Sequence, residues 1–274
     1  MMELSSAYVR GYSLGSGEKE SFFPLLLHVS ASAVVSASNE ADRLDQVLNE
    51  LERLPLQELI VVLNGCDDNS YSITRKHPQV TIVHYDERLG HDVGRSIGAG
   101  MARGDIILFT DGDIPIPAEQ LAAFMYAVDG GCDVALNDIN PFLPLFVHQD
   151  DVTRCKSFLN MALGRSDLGA SSLTAVPHAL SAGVLATIGK EALMIPPKAQ
   201  ALAITGGFHV AQVDTVNVFV SNRLRTGNMG QGNPVAHMII GDHVEALQTV
   251  MGLIKDARSP VPLSRKDVAM RRNA

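Results

Sequence analysis

The chain has 274 residues, 46% of them hydrophobic, enough to bury one large α/β core or two small ones. Its formal charge of −8 and sequence pI near 5.5 exclude a general nucleic-acid binder, which needs clustered Lys and Arg against the phosphate backbone. Cys66, Cys132 and Cys155 form no paired CxxC pattern and leave one thiol over in any disulfide scheme, so they read as reduced thiols.

In chain order, residues 1–24 are rich in Ser and Gly without sustained period and read as a flexible arm. They carry no basic region leading into an apolar one. The apolar stretch Phe22 to Val35 is too short and interrupted to span a membrane, so no transmembrane segment and a cytoplasmic location are expected. From Ala33 the pattern sharpens. Ala33 to Ala37 reads as a strand, and Leu44, Val47, Leu48, Leu51 and Leu54 recur at helical spacing before Pro55. Glu58 to Leu63 is a second strand, followed by the polar turn Asn64 to Ser70 and a short helix before Pro78.

Thr81 to Tyr85 makes a third strand, a Gly-rich helix covers about 92–102, and Asp105 to Thr110 is the fourth strand. Such β-branched runs alternating with helical periods predict a mostly parallel sheet with helices on both faces and ligands at the carboxyl ends of its strands. Further on, the pattern predicts a helix from Ala118 to Val128, a strand over 133–136, a strand from His209 to Val220 and a helix from Val244 to Ile254. Residues 140–180 carry no clear period, and the tail from Ser259, with Arg265, Lys266, Arg271 and Arg272, reads as an extension.

Asp111-Gly112-Asp113 directly follows the fourth strand. Two carboxylates separated by one small residue, where a strand opens into a loop, suit one hard cation held on a rigid support. An Asp-rich turn capping the next helix would look the same.

The segment Arg103 to Asp113 resembles the approach to the DxD motif of family 2 and related GT-A glycosyltransferases. Val34 to Glu40 is similar to their first strand and its Asn-Glu turn, and Ile60 to Ser70 to their second strand and its loop. Leu89-Gly90 followed by Arg95 matches the loop and helix before the DxD strand. These motifs keep the family's order over residues 33–117.

The resemblance implies an α/β, Rossmann-like GT-A fold and a hexosyltransferase type of activity. A sugar would move from a nucleotide-diphospho-sugar donor, with Mg²⁺ or Mn²⁺ as cofactor, to a small-molecule, glycan or lipid-linked acceptor. It implies a single domain over 25–258, with the donor half at 33–117, the acceptor half at 118–258 and a C-terminal extension at 259–274. Ser38, Asn39, Glu40, Asn64, Gly65, Leu89, Gly90, Arg95 and Asp111 would bind the nucleotide sugar. Asp111 and Asp113 would hold the metal. Arg95 would charge the diphosphate or else form an exposed helix salt bridge. A homodimer is left open.

A fainter similarity to the retaining glucosyl-3-phosphoglycerate synthase branch runs through Val210 to Asp214 and Asn222-Arg223. Two departures stand out. His91 replaces the family's common Lys after Gly90, and Val220 stands where that branch has a metal-binding His; His237 or His243 are the substitutes, with His243 preferred as an apparent helix-start residue. The stretch Ile195 to Gln200 lacks the carboxylate that inverting relatives use as a base. Asp214 and Asp242 are then the candidate bases, and retention against inversion stays open.

Three rival readings differ in class. A dehydrogenase fingerprint built on Gly98, Gly100 and Gly104 falls late in a helix and before a strand, the reverse of its required context. A sugar nucleotidyltransferase would open with a Gly-rich, Arg-containing phosphate loop that the turn after Val35 lacks. A catalytically silent nucleotide-sugar-binding protein is the alternative favoured by the missing base and by Val220.

Overall fold

A computed structural model describes residues 2–17, 25–221 and 233–257. Its centre is a seven-stranded sheet of order β3-β2-β1-β4-β6-β5-β7. The strands are β1 (Ala31–Ala37), β2 (Glu58–Asn64), β3 (Val80–Tyr85), β4 (Ile106–Asp111), β5 (Val134–Asn137), β6 (His178–Ser181) and β7 (Val210–Asp214). Strands β3, β2, β1 and β4 run parallel, as do β5 and β7, whereas β6 pairs antiparallel with both of its neighbours.

The helices are α1 (Met2–Ser16), α2 (Ala41–Leu51), α3 (Ser70–Thr74), α4 (Val93–Met101), α5 (Ala118–Asp129), α6 (Asp151–Ala162), α7 (Ala182–Ile188), α8 (Pro196–Thr205), α9 (Val218–Ser221) and α10 (Pro234–Ala257). Every residue of β1 but one is buried, because helices cover both of its faces and neither can be polar. On one face Leu44, Leu48 and Leu51 of α2 and Phe124 of α5 pack with Val35, Val61 and Leu108. On the other, Val34, Phe109, Leu180 and Val210 pack with Val184 of α7 and Ala199 and Ala203 of α8.

Helix α4 lies so close to β1 that a side chain at Gly98 would collide with Val34, and one at Gly94 with Ser36. These glycines therefore serve helix-to-strand packing, which accounts for the spurious dinucleotide fingerprint.

Through β4 the predicted elements agree with the observed ones to within two residues at each strand end. Three expectations are corrected elsewhere. Residues 2–16 of the supposed flexible arm are helical, since this segment has no proline and its Ser and Gly residues are spaced among helix-tolerant ones. The strand predicted to run to Val220 ends at Asp214, where the Asp214 carboxylate accepts the Thr215 N–H (2.8 Å) and turns the chain toward α9. Finally, α10 begins at Pro234, with Asn233 Oδ1 accepting the N–H groups of Val235 (2.9 Å) and Ala236 (3.3 Å) as an N-cap, so His243 is mid-helix rather than at a helix start. The extension 259–274 lies outside the described residues, as do Asn222 and Arg223.

Residues 140–180, which showed no period, form two 3-10 turns, α6, a third 3-10 turn and a loop leading into β6. Buried amides fix that loop. Asn160 Nδ2 donates to the carbonyls of Gly169 (2.9 Å) and Ser171 (3.0 Å), and Gln200 Nε2 donates to Asn160 Oδ1 (2.7 Å). Gln200 Oε1 accepts the Leu173 N–H (2.9 Å). Because β6 is reversed, with His178 opposite Phe109, the residues preceding it arrive at the same edge as the residues following β4.

Candidate functional site

Two adjoining cavities open at the carboxyl edge of the sheet. The first is lined by Ser36, Ser38, Glu40, Asn64, Arg88, Gly90, His91, Asp92, Arg95, Asp111 and Asp113, among others. The second shares His91, Arg95, Asp111 and Asp113 and is otherwise lined by Lys156, Thr174 and apolar side chains, most of them from the later chain. The two aspartates thus stand on the wall shared by the two chambers.

Pairing between β1 and β4 positions them. Ser36 lies opposite Asp111, and the Gly112 N–H donates to Ser36 O (2.9 Å), carrying the ladder one step past the strand end. Arg43 of α2 donates to the Asp113 carbonyl (3.2 Å). Across the cleft Arg95, 5% exposed, donates to both oxygens of Asp111 (3.3 and 3.4 Å) and to Leu173 O (3.1 Å), and pairs with Asp92 (3.1 Å). Burial disfavours its charge, but Asp111 and Asp92 outweigh that and push its pKa up. It is a buried cleft cation, which corrects the alternative of an exposed helix salt bridge.

Of the expected nucleotide-sugar residues, Ser38, Glu40, Asn64, Gly90, Arg95 and Asp111 line the first cavity. Asn64 is already committed at both ends: its Nδ2 donates to Gly90 O (2.6 Å) and its Oδ1 accepts the Leu89 N–H (2.8 Å). It holds the 89–90 loop in place. Gly90 has φ 142°, a backbone geometry that a side chain would strain, and a Cβ there would press on Val93. Asn39, Gly65 and Leu89 do not line either cavity. Asn39 exchanges hydrogen bonds with Asp67 (2.5 and 2.9 Å), Gly65 donates to Tyr85 O (2.9 Å) and Leu89 is exposed.

The expected metal ligands divide. Asp111 and Asp113 come together, whereas His243 lines neither cavity and its Nδ1 bonds Ile239 O (2.7 Å) one turn back. The preference for His243 rested on a helix start that is not there. His237 is exposed in the first turns of α10, and the side chain of Val220 lies outside the described residues. Among the described residues no group of three or more His, Cys, Asp or Glu is poised to hold a metal. Two aspartates still fit a magnesium-type ion, which keeps several waters and takes one or two carboxylates plus the phosphates of a substrate.

Neither candidate base lines a cavity. Asp214 is bound into its own turn. Asp242, on α10, is pushed up to about 6 by burial and by the charges of Asp92 and Glu245, with His91 opposing, so it stands near the cleft rim. Arg88, His91 and Asp92 in the first cavity, and Lys156, Thr174 and Val176 in the second, were not singled out as site residues. For Lys156 no local motif could have found it: it is one lysine on an amphipathic helix.

Known proteins share this architecture. Residues 32–141 match the family model described as Glycosyl transferase family 2. The chain also superposes on a crystal structure of glucosyl-3-phosphoglycerate synthase from Mycobacterium tuberculosis in complex with Mn²⁺, UDP and phosphoglyceric acid, with TM-score 0.61 and 17% identity over 80% of this chain and 78% of that one. The fold is GT-A, and its first half is family 2-like. A structure of the same enzyme with Mg²⁺ and UDP gives TM-score 0.60 at 15% identity, covering 80% of this chain and 79% of the other.

Two curated relatives align only within one stretch. An uncharacterized glycosyltransferase, YkcC, of Bacillus subtilis is 30% identical over 103 residues, 34% of this chain and 32% of its own length. Dolichyl-phosphate beta-glucosyltransferase ALG5C of Trichomonas vaginalis is 32% identical over 99 residues, 31% of this chain and 29% of its own. The chain therefore matches about a third of the length of these relatives. Among the described residues no helix is long and apolar enough to cross a membrane.

Proposed function

We propose that the chain is a glycosyltransferase that takes a nucleotide-diphospho-sugar into the first cavity and passes the sugar to an acceptor in the second. The observation that carries this reading is the position of Asp111 and Asp113 on the wall shared by the two cavities, at the carboxyl end of β4. The reading is supported by the GT-A neighbours, which were crystallised with UDP and Mn²⁺ or Mg²⁺, in one case with UDP-glucose.

Asp111 and Asp113 are the residues that would hold a divalent cation. Bound there, Mg²⁺ or Mn²⁺ would neutralise charge growing on the leaving diphosphate. Asn64 fixes the loop that carries Gly90, so the wall on which a base and ribose would rest is formed before any ligand arrives. Arg95 supplies a fixed positive charge beside Asp111, in a site where few waters compete for it. An acceptor seated against Val176, Val218 and Ile239 would displace water from the side where it enters, which would protect an activated sugar from hydrolysis.

Calorimetric titration of UDP-, GDP-, ADP- and dTDP-sugars with and without Mn²⁺ tests the reading. One donor class should bind with the metal, and Asp113→Ala should abolish that metal-dependent binding. Unchanged affinity in the variant would remove the central assignment.

A second reading, a nucleotide-sugar binder without turnover, is favoured by one observation. The second cavity has no carboxylate among its described lining residues apart from Asp111 and Asp113, and so no separate base. Donor binding without transfer or donor hydrolysis across a broad acceptor panel would decide for it.

A further inference from the structure

Three consecutive large apolar side chains, Leu145, Phe146 and Val147, are 77%, 68% and 69% exposed at the 3-10 turn Phe146–His148. Such a run facing water is unfavourable unless a partner covers it. The turn is firmly held. Arg154 of α6 donates to the carbonyls of Phe146 (3.4 Å) and Val147 (3.2 Å), and its guanidinium lies over the Phe146 ring, 5.5 Å from the centroid. One and two helical turns further along the same face of α6 stand Phe158 and Met161, both exposed.

That face continues in a neighbouring helix. Leu159 of α6 packs with Ala246 and Val250 of α10, and both helices rest on Ala201 of α8, so α6 and α10 form one outer layer. Along the outward line of α10 come Gly241, Val244, Gln248 and Met251, all exposed and none charged. A surface helix ordinarily puts its charged residues on that side. Glu245, beside this line, is matched by Lys198 (2.9 Å).

Charge indicates what covers the layer. From the end of α10 onward, residues 255–274 carry Lys255, Arg258, Arg265, Lys266, Arg271 and Arg272 against Asp256 and Asp267, in a chain whose formal charge is −8. An anionic surface attracts this stretch and repels the acidic remainder, which selects the side that faces it. A two-fold contact between copies would instead set the same basic stretch on both sides of one interface, where like charges repel.

We propose that the face made by the 145–147 turn, α6 and α10 docks on an anionic lipid bilayer, its apolar side chains entering the interfacial layer and the basic residues of 255–274 meeting the head groups. The contact is peripheral, since among the described residues no helix is long and apolar enough to cross a membrane. It depends neither on the donor nor on the identity of an acceptor.

The test is sedimentation of the full chain with vesicles of phosphatidylcholine alone and of phosphatidylcholine and phosphatidylglycerol in equal parts. The mixed vesicles should bind at least about tenfold more tightly, and that binding should weaken by about tenfold between about 0.1 and 0.5 M salt. Leu145→Ser combined with Phe146→Ser should cost about tenfold on mixed vesicles, because two apolar side chains lose their place in the bilayer. Arg271→Glu combined with Arg272→Glu should cost at least about tenfold there. Tyr8→Ser combined with Tyr12→Ser, on the exposed helix α1, should leave the affinity unchanged. Thermal melting of each variant checks that it folds.

Equal binding to both vesicle types, or to neither, overturns the anionic bilayer as occupant. An unchanged affinity in the Leu145 and Phe146 variant, or an equal loss in the Tyr8 and Tyr12 variant, overturns the choice of face. A dimer that the Leu145 and Phe146 substitutions dissolve, with no vesicle binding, assigns the face to a second copy instead. Donor titration is read separately: vesicle binding with no nucleotide-sugar binding leaves this inference standing and removes the transferase reading, and the reverse result does the opposite.

Discussion

The two cavities are built on different principles. In the first, the polar side chains are bonded to the framework before any ligand is present: Asn64 to the 89–90 loop, and Arg95 to Asp111 and Asp92. In the second, the residues not shared with the first are mostly apolar side chains drawn from distant parts of the chain, beside Lys156 and Thr174. A preorganised polar wall suits a ligand of fixed chemistry, such as a nucleotide diphosphate. A wall assembled from scattered apolar side chains sets only general conditions on its occupant, so the two halves of the sheet divide constancy and variation between them.

Substitutions on either side can break this contrast. The largest effect is expected at Asp113. Asp113→Ala should reduce metal-supported donor affinity by about a thousandfold, or ~4 kcal/mol, in calorimetry. An affinity unchanged by the substitution would mean that the donor does not depend on this wall.

Next comes Asn160→Ala, in the buried amide set behind the second cavity. It strands the carbonyls of Gly169 and Ser171 and the Nε2 of Gln200, which should cost about 3 kcal/mol and lower the melting temperature by about 6–10 °C. Donor affinity should not change with it. Loss of donor binding instead would place the 169–176 loop in the donor site.

Asn64→Ala is the matching change on the donor side. Freeing the loop at Leu89 and Gly90 should cost about 1–2 kcal/mol of stability and about tenfold in donor affinity, again read by calorimetry. An unchanged donor affinity would show that the loop's bonds are structural alone.

The smallest effect is a pH effect at Asp242. Its folded pKa of about 6 lies above the ordinary 3.8, so the folded state binds the proton more tightly than the unfolded one. Stability from this group is therefore full below about pH 4 and is lost as pH rises to about 6. Asp242→Asn should melt about 2–3 °C higher than the parent at pH 7.5, solvent screening limiting the gain to about 1 kcal/mol, and the difference should vanish near pH 4. A constant difference at every pH would show that the carboxylate is not displaced by its neighbours.

What the sequence revealed follows the same divide. From Ala31 to Asp113 the chain forms its strands in simple alternation with helices, β1, β2 and β4 are buried on both faces, and most of the site residues sit at a strand's end or in the turn after it. Local pattern and local position then carry the same information. Even so, Asn64 and Arg95 were assigned as ligand contacts, and their bonds to Gly90, Leu89 and Asp111 show framework duties that no spacing could reveal.

In the second half a 3-10 turn, a four-residue strand and a reversed strand follow one another, and none is long enough to establish a period. The second cavity draws on Ile139, Lys156, Thr174 to Val176, Val218, Phe219, Val235 and Ile239, which come together only through tertiary packing. His243 shows the cost of reading helix starts from a Gly-Asp pair: the N-cap at Asn233 lies ten positions earlier and is the stronger signal.

The reversal of β6 has a consequence for how such a chain can change. Since β6 enters the sheet from the cleft side, the segment before it, and not the one after it, borders Asp111. That segment is bracketed by α6 and the sheet, apart from the turns that hold Asn64, Gly90 and Asp113. Exchanges there that keep the Leu173 carbonyl on Arg95 would redraw what the molecule accepts while the bonds of Asn64 to Leu89 and Gly90 stay as they were, so new specificities are open to it by editing a single connection.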